Sequence, residues 1–146
     1  MATANASTNY LERRLLHYIF KNNSLSFSSP GDSIYVGLAT GITNEAELGS
    51  SEVTEASFTG YERKQVPAAN WTTIGSDSTD TQTATNSAGI EFDPSTGTTE
   101  TITHVFVADA LTSGNILFVG ALDANKTIAD GDIFRINAGN LTIELK

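Results

Sequence analysis

TITHVFVADALTSGNILFVGAL, residues 101–122, is the stretch on which the fold turns. Two short apolar runs rich in Val, Ile and Phe flank a connection that contains Gly114, the pattern of two strands rather than a helix. Simple alternation places Ile102, Phe106, Ile116 and Phe118 on one face. Val105, Val107, Leu117 and Val119 then occupy the other. Because both faces are apolar, the hairpin is expected to be central, with a second sheet on one side and a helix or a neighbouring subunit on the other. His104 shares a face with Ile102 and Phe106, so packing is expected of it before chemistry.

Moving outward, Asn9 and Glu12 read as a cap and its reciprocating carboxylate, which predicts a helical arm at about 9–21. On that arm Leu11, Leu15, Leu16, Tyr18, Ile19 and Phe20 fill a wide apolar arc, while Arg13, Arg14, His17 and Lys21 share the polar sector. Two readings stand: the helix is sunk into its own domain, or part of it meets another subunit or a shell. The second makes Leu11, Arg13, Arg14, Leu15, Tyr18 and Ile19 candidate interface residues. After the turn-rich connector with Pro30 and Gly31 the period becomes alternating, and short strands are expected in 32–40, 59–71 and in several segments from 88 to 146. Pro67 is expected to end the 59–71 strand or to place it at an edge. Residues 72–87 hold one large apolar side chain, Ile74, and predict a surface loop or polar edge strand. The whole chain, 1–146, reads as a single antiparallel β-sandwich domain, jelly-roll-like or barrel-like, with one N-terminal helix.

Composition narrows the function. With no cysteine, disulfides, thiolate metal sites and cysteine nucleophiles are absent together. Two histidines and no H-E-x-x-H make a zinc centre an unpromising reading, and no phosphate-cradling glycine motif occurs. His104, Asp109 and Ser113 supply the residue types of a nucleophilic triad without the strained elbow that presents a serine. Glu91 and Asp93 lie two apart on a strand, which solvated strands show routinely. Asp77 with Asp80, and Asp130-Gly131-Asp132, lack the ligand series of a calcium loop. No enzyme activity and no cofactor are therefore expected. The formal charge of -9 argues against a nucleic-acid partner. No apolar stretch is long enough for a membrane helix, so no membrane partner is expected. Residues 1–33 carry a net +1 and the remainder -10, a slightly basic arm before an acidic body. Trp71, with Tyr61 and Tyr35, could stack on a glycan, and Trp71 is the candidate ligand-facing residue; the competing reading, which the sequence favours, is that it seals the end of the core.

The succession NYLERRLLHYIF (9–20), IYVGLAT (34–40), GYERKQV (60–66), TNSAGIEF (85–92), the hairpin and IADGDIFRINAGNLTIEL (128–145) resembles small structural proteins of tailed bacteriophages. These are often labelled tail fibre proteins, and some are similar to capsid decoration or cement proteins. The resemblance spans nearly the whole chain, weakest at 72–84 and most specific at Gly60-Tyr61, Thr85-Asn86-Ser87, Thr103-His104, Gly114-Asn115 and Ala138-Gly139-Asn140. It implies a virion protein assembled in the host bacterial cytoplasm. As a decoration protein on the capsid surface, its partners would be the major capsid protein and, in a homotrimer, further copies of itself. The alternative it implies is a tail or head fibre module that contacts a host receptor or glycan.

Overall fold

The computed structural model of the chain describes residues 6–21, 34–44, 48–72 and 82–145. The Pro30-Gly31 connector and the Asp77 and Asp80 positions lie outside the described residues. In chain order the elements are β1 (Ala6–Ser7), α1 (Asn9–Lys21), β2 (Tyr35–Ile42), β3 (Val53–Glu55), β4 (Lys64–Gln65), β5 (Gln82–Thr85), β6 (Ile90–Glu91), β7 (Glu100–Ala108), β8 (Ile116–Ile128), β9 (Arg135–Ile136) and β10 (Thr142–Leu145). The fold is mainly β, with antiparallel sheets and one N-terminal helix. Among the described residues no helix is long and apolar enough to cross a membrane.

The hairpin is central, as the two-sided apolar pattern requires. β7 pairs with β8 on one side and with β2 on the other, in a six-stranded sheet ordered β1-β8-β7-β2-β3 with β4 also on β2. Two small sheets, β5 with β10 and β6 with β9, are the other sheets among the described residues. One core lies where Val36, Leu38, Ile102 and Val105 of the large sheet meet Ile90, Phe92, Phe134 and Ile136, a sandwich-like packing. A second, smaller core on Ala39, Phe106, Ala108, Ile116 and Val119 is closed by Leu48 and Val53. The segment at Leu48, rather than the body of the helix, supplies this second cover.

Simple alternation fails at two places, and both failures have the same cause. The β7–β8 register shifts between Ile102 and His104 and again between Val107 and Ala108. Each irregularity inserts residues that have no partner, which reverses the facing of everything beyond it. Ile102 therefore packs with Val105 in the larger core, while Phe106 sits with Ile116 and Val119 in the smaller. Phe118 is half-buried beside an open groove instead of joining Phe106. The predicted 59–71 strand shrinks to Lys64–Gln65, followed by a single 3-10 turn after Pro67. β8 runs further than the apolar run suggests, because Thr127 and Ile128 pair with Thr101 and Glu100 beyond the first irregularity.

The helix spans Asn9–Lys21 as expected, but its capping side chain is Thr8 rather than Asn9. Thr8, fully buried, accepts from Leu11 N through Oγ1 at 3.4 Å and donates that hydroxyl to Ile116 O at 2.6 Å. Its N–H donates to Leu117 O at 2.9 Å. Glu12 accepts from the Ser7 hydroxyl at 2.7 Å, so the expected carboxylate is used, with a partner two residues before Asn9. Tertiary anchoring of Thr8 on β8 selects it as the cap over the equally suitable Asn9.

Candidate assembly surfaces

The polar groups concentrated beside the hairpin are structural. β3 and β4 lie along the same edge of β2 and leave a gap at Leu38. There Tyr61 Oη takes the place of a ladder carbonyl and accepts from Leu38 N at 3.0 Å, while Leu38 O accepts from Ala56 N at 2.9 Å. Tyr61 in turn donates to Glu55 Oε1 at 2.8 Å. The same carboxylate receives a two-pronged contact from Arg63, Nε to Oε1 at 2.8 Å and Nη2 to Oε2 at 2.7 Å. The remaining terminal nitrogen of Arg63 donates to Ala110 O and Ser113 O, both at 2.8 Å, and the guanidinium lies 5.1 Å from the Phe106 ring centroid. Burial alone pulls the Arg63 guanidinium down, but the Glu55 hydrogen bond and charge outweigh it and leave it above its ordinary value.

Burial also pushes the Tyr61 hydroxyl far above the ordinary tyrosine value near 10; Leu38 N–H opposes this and Glu55 adds to it. A group raised in the folded state contributes stability that is complete below its unfolded pKa and is lost as pH climbs above it. Wild-type protein should therefore lose stability relative to Tyr61→Phe as pH rises past about 10. At neutral pH Tyr61→Phe should cost about 1–3 kcal/mol, because Leu38 N–H is left without its acceptor. Urea titrations at stepped pH check both; parallel curves for the two proteins would rule out the linkage.

The connection of the hairpin is closed in a similar way. Asp109 accepts from Asn115 N at 2.7 Å and from Asn115 Nδ2 at 2.9 Å, and Ser113 and Gly114 adopt φ of 55° and 68°. A Cβ at Gly114 would stand 2.6 Å from Asp109 Oδ1, so glycine is needed both for conformation and for space. Of the residues in the triad reading, Asp109 closes the loop, Ser113 contributes its backbone carbonyl to Arg63, and His104 is buried with Thr103 Oγ1 2.7 Å from Nδ1. Among the described residues no group of three or more His, Asp or Glu side chains comes together that could hold a metal ion.

Trp71 is half-buried against the larger core, its Nε1 donating to Val66 O at 3.3 Å, and it bridges to Asn86. Asn86 is fully buried, with Nδ2 donating to Ala88 O and Asn137 O and Oδ1 accepting from Leu141 N, all within 2.9 Å. Gly139 N donates to Asn86 O at 2.7 Å. Tyr61, Asn86, Gly114, Asn115 and Gly139 are among the positions at which the resemblance is most specific, and each holds a turn or a junction between strands, whereas Thr103 and His104 lie within β7.

What the fold leaves uncovered is α1. No residue of the helix is buried, and Leu15, Leu16, Tyr18, Ile19 and Phe20 are exposed, Phe20 by 74%. The sunken-helix reading is thereby excluded. Of the six candidate interface residues, Leu15, Tyr18, Ile19 and Arg13 are exposed, and Leu11 and Arg14 are half-buried. Arg14 lies over the Tyr10 ring at 5.4 Å. Five large apolar side chains of one helix therefore face solvent in the single chain.

Residues 6–144, from β1 through β10, match the family model described as the podophage GP4 fiber I protein gp80. The chain belongs to that family. Membership places it among structural proteins of the phage virion, and the matched span includes the helix as well as both cores. No curated protein matches the chain.

Proposed function

We propose that the protein is a self-assembling, non-enzymatic subunit of a fibre on the virion of a tailed phage, in which α1 forms a contact with another subunit. The observation that carries this is the conjunction of a fibre-family match over residues 6–144 with an exposed apolar helix. Leu11, Arg13, Arg14, Leu15, Tyr18 and Ile19 belong to the contact, and a homotrimer is the assembly. Polar groups that could suggest chemistry are instead used in holding the hairpin, which supports a building-block role.

A decoration protein bound to the major capsid protein on the capsid surface is the second reading, favoured by the helix: an apolar arm bordered by arginines on an acidic body is suited to gripping a shell. Immunogold labelling of purified virions, with a mass-calibrated copy count, separates the two. Label confined to fibres at a low copy number supports the proposal. Label spread over the head, with particles that fall apart on heating when the protein is missing, would replace it with the cementing role. Absence from purified virions would defeat both. A glycan contact at Trp71 belongs to the fibre reading, and loss of glycan binding in Trp71→Ala is its signature.

A further inference from the structure

The uncovered helix has a complement on the same chain. Between β8 and β10 runs a groove of about 700 Å³ whose lining includes Val107, Phe118, Leu141 and Ile143, with Asp123 and Glu144 among its polar residues. No Lys or Arg is among its described lining residues. It continues into a second lobe of about 740 Å³ that shares Asp123 and Leu141 and is lined further along by Lys126, Asp132 and Arg135, so the acidic part is the end at Asp123 and Glu144. The helix presents the converse surface. Its apolar stripe is bordered by Arg13, one face-repeat from Phe20 at i+7, and by Arg14, one turn from Tyr18 at i+4. Among the described residues neither arginine forms an ion pair, and Asp123 forms none either.

We propose that α1 of one copy docks in the β8–β10 groove of a second copy, its apolar stripe over Phe118 and Ile143 and its arginines toward Asp123 and Glu144. The inference rests on the self-assembling reading above and names the surface that α1 meets. A chain's own helix does not fill its own groove: Ser7 lines the groove, the helix starts two residues later, and leaving that position would break the bonds of buried Thr8 to Ile116 O and Leu117 O. A second copy is the occupant because the two surfaces complement each other in charge as well as in polarity, with a net +1 over residues 1–33 against -10 elsewhere. Helix-in-groove binding is a general mode for an amphipathic helix, and about 20 Å of helix suffices for several anchors. Such a contact joins different patches on the two partners, so it is directional, and it closes into a ring wherever the rotation between neighbours permits.

The absence of native cysteine makes the test clean. Ile19→Cys and Ala121→Cys are made as separate full-length proteins, checked for native circular dichroism and melting, mixed, and oxidised. The expected product is the mixed Ile19–Ala121 disulfide, in excess over either self-linked species. Arg13→Glu with Arg14→Glu should weaken association about tenfold or more, and a partner carrying Asp123→Lys with Glu144→Lys should recover it. Predominant Ile19–Ile19 linkage means that helix pairs with helix and overturns the proposal. Monomeric protein by light scattering, with no disulfide formed, overturns it as well. Virion labelling is read independently: protein found on fibres without the mixed disulfide defeats the groove contact alone.

Discussion

Arg63→Ala lowers the free energy of unfolding by about 3–5 kcal/mol, read as a fall in the urea midpoint with an unchanged slope. The size follows from what one guanidinium does. It meets both oxygens of Glu55 and the carbonyls of Ala110 and Ser113, and it caps the ring of Phe106. Arg63 is only 5% exposed, so its donors have little access to water in place of these partners. The Glu55 side chain retains 33% exposure and can rehydrate after the substitution, so much of the loss lies in the two carbonyls and the ring rather than in the ion pair. Arg63→Lys should recover little, since one ammonium cannot bridge a carboxylate and two carbonyls in a planar fork. A fall below about 1 kcal/mol would mean that the hairpin loop closes through Asp109 and Asn115 without it.

Phe106→Ala should cost a similar amount, about 3–5 kcal/mol, through a cavity in the smaller core. The ring is 1% exposed, and its far end takes the space that a Cβ on Gly37 would fill, 2.2 Å from Cζ. Gly37 faces Phe106 directly across the β2–β7 ladder, so the glycine serves close approach and not a special backbone conformation. Gly37→Ala is therefore also destabilising, by overpacking, and adding Phe106→Leu to it should recover part of the loss. Arg63→Ala and Phe106→Ala share a contact, so the double variant should cost less than the two separate losses added together. Thermal melting of the four proteins measures this; additive losses would show that the guanidinium and the ring do not interact.

Arg63 and Phe106 both act at the hairpin, away from the exposed helix. Stability concentrated in the hairpin and its polar latch leaves α1 anchored at its first turn through Thr8 and otherwise available for contact. Among the described residues, no side chain of the helix belongs to either core.

The sequence by itself determined the β class, the central hairpin and the helix at 9–21, because each rests on a local period: apolar residues every second position in strands and on one arc in the helix. The resemblance to phage virion structural proteins was also legible there, carried by residues such as Asn86 and Gly139, although the partners that give Asn86 its role, Asn137 and Leu141, lie 51 and 55 residues away. Whether the apolar arc of α1 is buried was not, since a helical period is the same whether its partner is the chain's own core or another molecule. Nor were the cores themselves, because register shifts at Ile102/His104 and Val107/Ala108 exchange faces without any signal in the alternation. The role of Arg63 was equally hidden. Its partners Glu55, Ala110 and Ser113 lie 8, 47 and 50 residues away and meet only when the hairpin packs against the edge of β2. The tertiary structure alone decided these points, since burial, register and long-range pairing depend on which segments come together and not on what each segment prefers.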